Sequence, residues 1–330
     1  MEMIRDFPFK KALVTGGAGF IGSHLVEELV LKGVETISID NYFAGKKENL
    51  SHLKGEANFY EIECDILDIA GLEKVFAEGV DVVFHQAASK KTICLENPRL
   101  DLDINTKGTF NLLELSVKYG VRKFVHASTG SVYGEAKYFP QDENHPLDPA
   151  SYYGVSKLAG EKYVGAFSNL YGIDSTVLRY FHVYGPRQES SNVGGVVSIF
   201  VRNMLEGKPI TIFGDGTQQR SFTYVKDVAN SNILAAVTPA ARGEVFNCAS
   251  GIKVTINDLV NGIADVLQIS KPSVNYEAWT PGDIKIFDID NTKIEHTLKV
   301  DFLTDFTVGL KSTIEWARDY FGKTSLYVQE

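Results

Sequence analysis

The chain has 330 residues, 44% of them hydrophobic and 23% charged, which is enough to bury a large core in one to three domains and excludes a disordered chain. Its net charge of −9, with no run of lysine or arginine, argues against nucleic acid as a partner, because a phosphate backbone demands clustered positive charge. No stretch approaches the roughly 20 apolar residues of a membrane span, no run of signal-peptide length precedes the first strand, and Cys64, Cys94 and Cys248 match no zinc or CxxC spacing, so a cytoplasmic protein without a bound metal is expected.

The first half alternates short apolar runs with helical patterns. KKALVTG predicts a strand and FIGSHLVEELVLKG a helix; VETISID, NFYEIECDI and VDVVFHQAA predict three more strands. A helix follows over about 97–119, then the strand VRKFVHAS, a helix from near Pro149 to about Tyr171, and the strand IDSTVLRYF. Strands that alternate with helices and are apolar on both faces imply a parallel α/β sheet, doubly wound and Rossmann-like. After Tyr180 the rhythm changes to irregular pieces, two short helices and short strands, which reads as a smaller α/β domain over 181–330; EVFNCAS (244–250) reads as a buried strand that rejoins the first sheet from within about 221–250.

The first strand runs into Gly16, Gly19 and Gly22, a GxxGxxG pattern that opens directly into a helix. Gly16 permits the tight turn, Gly19 lets a pyrophosphate approach the backbone, and Gly22 lets the helix pack closely, with the helix N-terminus offering free N–H groups to phosphates. Asp40 ends the second strand 18 residues beyond Gly22, where a carboxylate can accept hydrogen bonds from both adenosine ribose hydroxyls and repel a 2′-phosphate, so NAD is favoured over NADP. Asp65, in the turn after the third strand, can meet the adenine edge or cap the next helix.

The strand VRKFVHA ends in a cluster of small hydroxyls, Ser128-Thr129-Gly130-Ser131, and the next helix reads ASYYGVSKLAGEKYV behind Asp148-Pro149, a good cap and first turn. Tyr153 and Lys157 are four apart and share a face, whereas Tyr152 points elsewhere. An ammonium beside a phenol favours the phenolate, so Tyr153 is expected below its ordinary pKa near 10 and able to act as a general base on a hydroxyl.

GxxGxxG, Asp40, FHQAAS (84–89), INTKGT (104–109), STGSVYG, Tyr153-x-x-x-Lys157, RYFHVYGPRQ, FGDGTQQRSFTYVKDV (213–228) and a PGD turn (281–283) stand in the order found in extended short-chain dehydrogenases/reductases. Over nearly the whole chain the sequence resembles the nucleotide-sugar branch of that family, above all the UDP-glucose/UDP-galactose 4-epimerase-like enzymes. The resemblance implies tightly bound NAD, a UDP-linked nucleotide-sugar substrate, and a homodimer built on the two long helices. It assigns cofactor contacts to Phe20 and Ile21 in the loop, Asn41, Ile66, Ala87, Asn105 and Ser128, and a substrate hydrogen bond to Thr129. Substrate contacts fall on Ser131, His182 (where the family often has Asn), Arg187, Phe213, Arg220 and Asp283, while Thr280 stands where an Arg is common.

The residues after Thr129 bear on the reaction. Relatives that dehydrate C4–C6 carry Asp-Glu there, glucuronate decarboxylases a Glu at the place of Ser131, and enzymes that epimerise C3 and C5 a Cys. Gly130 and Ser131 can serve as neither acid nor base, so reversible hydride transfer at one carbon, a 4-epimerisation, is the simplest chemistry. A dehydratase, decarboxylase or 4-ketoreductase on the same fold and a non-catalytic NAD sensor are the alternatives.

Overall fold

The structure, a computed structural model, describes residues 7–89, 91–191, 194–279 and 288–326. In chain order it begins β1 (Lys11–Thr15), α1 (Phe20–Leu31), β2 (Glu35–Asp40), β3 (Phe59–Glu63), α2 (Ile69–Ala77) and β4 (Val82–His85). It continues with α3 (Lys91–Glu96), α4 (Pro98–Leu102), α5 (Thr109–Lys118), β5 (Lys123–Thr129), α6 (Tyr152–Tyr171) and β6 (Asp174–Tyr180). Beyond these come β7 (Val183–Tyr184), α7 (Val196–Leu205), β8 (Ile210–Phe213), β9 (Gln219–Ser221), β10 (Thr223–Tyr224), α8 (Val225–Val237), β11 (Val245–Cys248), β12 (Lys253–Thr255), α9 (Ile256–Leu267), β13 (Val274–Glu277), α10 (Thr292–Leu298) and α11 (Phe306–Leu326).

Seven strands form one parallel sheet in the order β11-β6-β5-β4-β1-β2-β3, the doubly wound Rossmann-like arrangement. The near-continuous apolarity of the strands follows from burial on both faces. Val14, Phe84, Val125, Leu178 and Phe246 pack towards α1 and α8, while Leu13, Val83, Phe124 and Val177 pack towards α2, α5 and α6. The direction of chain progression reverses between β1 and β4, which opens a crevice at the carboxyl ends of the strands.

Outside this sheet the chain forms three two-stranded pairs, β7 with β10, β8 with β13 and β9 with β12. An apolar cluster that includes Tyr184, Phe200, Ile212, Phe222, Leu259, Ile263, Leu310 and Ile314 gathers α7, α9 and α11. The helical content here exceeds the two short helices expected. The 21-residue α11 buries Leu310, Thr313, Ile314 and Ala317, a helical repeat that lies in a stretch otherwise rich in charge. Among the described residues no helix is long and apolar enough to cross a membrane.

The helix expected over 97–119 is present as one helical run, Pro98 to Lys118, with a wider π turn at Asp103–Gly108 between α4 and α5. One further expectation needs correction. The cap of α6 is Ser151, whose Oγ accepts from Gly154 N–H at 3.1 Å, and not Asp148. Pro149 holds the residue before it out of helical conformation, so the helix begins only once a hydroxyl is in place to take its free donors.

Phe84 is fully buried near the middle of the sheet. Phe84→Ala is expected to cost about 3–5 kcal/mol, read as a fall in the denaturant midpoint at unchanged m-value.

Candidate active site

A cavity of about 650 Å³ fills the crevice at the strand ends. Six of the seven strands contribute residues at or just past their carboxyl ends: Gly16 after β1, Asp40 and Asn41 at β2, Asp65 and Ile66 after β3, Ala87 after β4, Ala127 and Ser128 on β5, Tyr180 and His182 at β6. Gly19, Phe20, Ile21 and Gly22 line the cavity at the start of α1. Gly16 has φ +64°, and a Cβ on it would stand 2.8 Å from the Ala87 backbone; a Cβ on Gly22 would stand 2.1 Å from the Gly16 carbonyl oxygen. The loop is therefore folded against itself and against β4 too tightly for any side chain, which keeps the helix N–H groups open to the cavity.

At the far end of the loop the Asp40 carboxylate is held rather than free. It accepts from Ala18 N–H at 3.1 Å and from Tyr42 N–H at 2.8 Å, and burial pushes its carboxyl above the ordinary value against those two bonds. Each oxygen keeps a further lone pair. Asp65 accepts from Asn41 Nδ2 at 2.8 Å and from Leu67 N–H at 2.8 Å. It does not cap α2; that place belongs to Asp68, which accepts from Gly71 N–H.

At the other end, β5 and α6 meet. The Tyr153 phenol lies near Thr129, whose hydroxyl acts to favour the phenolate and donates to Ser131 Oγ at 3.3 Å. Thr129 Oγ1 also accepts from Ser131 N–H at 3.2 Å, which starts a short 3₁₀ turn over Gly130–Val132. The first turn of α6 sits directly on this loop: a Cβ on Gly154 would stand 2.6 Å from Ser131 O. Lys157 lies one turn further on, 2% exposed, while Tyr152 is exposed and faces away. Burial pushes the Tyr153 phenol up to about 12 against the effect of the Thr129 hydroxyl, and Asp101 and Cys94 add to the rise. The expected lowering of Tyr153 is thus absent from the protein by itself, because removal from water outweighs everything else that acts on the phenol. Burial brings the Lys157 ammonium down to about 8, with Glu161 and Asp101 opposing.

Asn105 occupies the π turn and is completely surrounded. Its Oδ1 accepts from Ser89 N–H at 2.9 Å, and its Nδ2 donates to Asp101 Oδ1 (2.9 Å), Ser89 Oγ (3.0 Å) and Ser156 Oγ (3.0 Å). It locks α4, the β4 loop and α6 to one another, and the π turn is the local distortion that aims it there. Sequence reading missed Ser89, Asp101 and Ser156, since each is an ordinary polar residue until the fold brings it to Asn105.

Gly130 has a steric reason to be glycine. A Cβ there would stand 2.3 Å from the ring of Phe181, which is buried and stacks on Tyr133. A carboxylate cannot be carried at this position without displacing that ring.

A family model described as the NAD dependent epimerase/dehydratase family matches residues 12–249. The chain belongs to this family. It is 39% identical to the UDP-glucose 4-epimerase of Thermotoga maritima, solved with UDP-glucose, with a TM-score of 0.88 and coverage of 94% of this chain and 99% of that one. It is 36% identical to a UDP-N-acetylglucosamine 4-epimerase from Methanobrevibacter ruminantium, solved with UDP-N-acetylmuramic acid (TM-score 0.88, 94% and 99% covered). It is 32% identical to a UDP-glucuronic acid 4-epimerase from Bacillus cereus, solved with UDP-glucuronic acid and NAD (TM-score 0.86, 94% and 99% covered).

The residues of this epimerase/dehydratase family member fit a dinucleotide. The cradle that a Cβ at Gly16 or Gly22 would fill, the open helix end and the Asp40 lone pairs stand along one side of the cavity, with Tyr153 and Lys157 at its other end. The expected substrate residues are more scattered. His182 lines the cavity at φ +36°, and its ring meets Phe222 edge-on. Arg187 lines it too, but its guanidinium is engaged with Glu27 Oε2 (2.5 Å) on α1. Ser131 and Phe213 lie outside the cavity lining, as does Arg220, which is buried on β9 and donates to Gln219 O. Thr280 and Asp283 lie outside the described residues. Lys46, Gln86, Tyr180 and Gln188 line the cavity without having been expected.

Three histidines are buried and held neutral: His24 is lowered to about 4 by burial and Arg187, and His85 and His126 are lowered well below their ordinary value by burial and Lys157. As pH falls the unfolded chain takes up these protons first. Their contribution is therefore complete above the unfolded pKa near 6.5 and is lost as pH falls towards the folded values, at about 1.4 kcal/mol per pH unit for each histidine. Denaturant unfolding between pH 7 and 4.5 is expected to show this slope, and His24→Asn to reduce it.

Proposed function

We propose that this protein is an NAD-dependent nucleotide-sugar 4-epimerase acting on a UDP-hexose. The observation that carries the reading is the placing of Tyr153 near Thr129 and one turn before a buried Lys157, beside a loop where Phe181 denies Gly130 any acidic side chain. A bound NAD supplies reversible acceptance of hydride from C4 and ends the cycle unchanged. Tyr153 takes the proton of the C4 hydroxyl and returns it, and Thr129 hydrogen-bonds the same sugar oxygen. Lys157 holds the nicotinamide ribose and favours the phenolate, aided by the positive charge of the oxidised ring. That added positive charge is what brings a phenol raised to about 12 into the working range. With Gly130 and Ser131 offering no acid or base, loss of water from the 4-keto sugar has no catalyst in this loop, and the ketone turns over before reduction on its other face.

Gly16, Gly19, Phe20, Ile21 and Gly22 are proposed to hold the pyrophosphate, Asp40 and Asn41 the adenosine ribose, and Asp65 and Ile66 the adenine. Ala87 and Ser128 complete the cofactor site, and Asn105 supports it through Ser89 and Ser156. Residues 1–180, rejoined within about 221–250, are assigned to the cofactor, and 181–330 mainly to the nucleotide sugar through His182, Arg187, Phe213, Arg220 and Asp283, with Ser131 added from the first region. Arg187 can reach a diphosphate only by giving up Glu27. The relatives that act on UDP-glucose, UDP-N-acetylglucosamine and UDP-glucuronic acid are similar enough to this chain that the substituents at C2 and C6 stay open. The buried thiols of Cys64, Cys94 and Cys248 suit the reducing cytoplasm, the location proposed.

Purified protein given UDP-glucose, UDP-N-acetylglucosamine or UDP-glucuronate without added NAD is expected to yield the C4 epimer of at least one; net NADH release or loss of water from the sugar overturns the proposal. Tyr153→Phe is expected to lower kcat by about 10²–10⁴.

A homodimer through α4–α5 and α6 is also proposed. Val155, Tyr163 and Leu170 are exposed at heptad-like spacing on α6, and Tyr163 meets Phe110 of α5 edge-on at 5.3 Å, so an apolar stripe runs along this face. Val155→Glu/Leu170→Glu is expected to convert the dimer to a monomer in analytical ultracentrifugation, with the wild type sedimenting at twice the monomer mass.

A further inference from the structure

A buried ion pair lies one helical turn beyond Lys157. Glu161 is four residues on from Lys157 along α6, and its side chain is 5% exposed. Its Oε2 accepts from Arg179 Nη2 at 2.7 Å, and its Oε1 accepts from Arg179 Nε at 3.0 Å and from Ser128 Oγ at 2.5 Å. Arg179 is on β6, directly across from Ser128 on β5, and its remaining Nη1 donates to Tyr133 OH at 2.8 Å. A fork-to-carboxylate pair satisfied on every side is a rigid object, and here it grips the residue next to Thr129 in the chain.

We propose, on the reading of Tyr153 and Lys157 given above, that Glu161 is a positioning residue for the reaction. Its carboxylate ties the end of β5, which carries Thr129, to the helix that carries Tyr153 and Lys157, and it supplies the negative charge that keeps Lys157 an ammonium. Burying an ammonium disfavours its charge unless an anion stands near. Around Lys157, Glu161 on α6 and Asp101 on α4 oppose its loss of charge, the neutral rings of His85 on β4 and His126 on β5 flank it, and the phenol of Tyr153 precedes it by a turn. Arg179, the cation on β6, is spent on Glu161 and Tyr133. Glu161 leads Asp101 among the charges that act on Lys157. Its two functions separate by substitution: Glu161→Gln keeps an acceptor for Ser128 and removes the charge, whereas Ser128→Ala removes the tie and keeps the charge.

The test is an NMR titration of lysine ε-¹³C labelled protein, with the Lys157 resonance assigned by its loss in Lys157→Arg, followed by pH profiles of kcat and KM. Glu161→Gln is expected to lower the Lys157 midpoint by at least about half a pH unit and to move the alkaline limb of kcat down with it, while KM changes by less than about twofold. Ser128→Ala is expected to lower kcat about tenfold at every pH with the Lys157 midpoint in place. If Glu161→Gln does not fold, Glu161→Gln/Arg179→Gln removes the carboxylate without leaving a buried guanidinium unpaired, and a downward shift of the Lys157 midpoint is again expected. A Lys157 midpoint that stays at its wild-type value in the folded variant overturns the proposal, as does a Ser128→Ala enzyme with wild-type kcat. The titration needs no substrate, so a wild-type protein that fails to turn over UDP-sugars would overturn the epimerase reading without touching the measured response of Lys157.

Discussion

The seam between β5 and α6 imposes the constraint on which the rest of the site depends. A lysine that is almost wholly buried can remain charged only if anions and dipoles are fixed around it, and Glu161 and Asp101 are the anions that the fold places there. To bring α6 this close to the end of β5 the chain must give up side chains at the contact. Gly154 leaves room for the Ser131 carbonyl and Gly130 leaves room for the Phe181 ring. The hydroxyl of Thr129 at the end of β5 and the phenol of Tyr153 on α6, 24 residues apart in the chain, are thereby brought near one another.

The same packing explains what the site lacks. A carboxylate at position 130 would have to displace an aromatic ring that is itself stacked on Tyr133, and Tyr133 is joined through Arg179 to Glu161. The absence of an acid beside Thr129 is thus bound to the buried network that supports Lys157.

The cofactor side is organised by a different principle. Its contacts are mostly backbone: a loop too tight for a Cβ, a helix end with open N–H groups, and an aspartate pinned by two N–H donors of its own. Such groups cost little to hold in place because the sheet and α1 have already fixed them. The opposite wall, contributed by the region after Tyr180, relies on side chains with competing partners, as the engagement of Arg187 with Glu27 illustrates.

The local signals in the sequence determined much of this protein. The alternation of apolar runs with helical patterns implied a parallel sheet, GxxGxxG with Asp40 implied a dinucleotide, and Tyr153 and Lys157 could be placed on one face of a helix by spacing alone. Those features are short-range: a turn, a strand end and a helix period are each written within a few neighbouring residues. Tertiary structure decided what depends on residues far apart in the chain. It widened the helix over 97–119 into a π turn where Asn105 reaches Ser89 and Ser156, moved the cap of α6 to Ser151, and added a long α11 where short helices were expected. It also reversed the expected direction for Tyr153, because the spacing reveals which charge is near but not how much water has been removed. Burial is a property of the whole packed chain, and so the chemistry of the most recognisable residue in the sequence was set by residues that carry no recognisable signal at all.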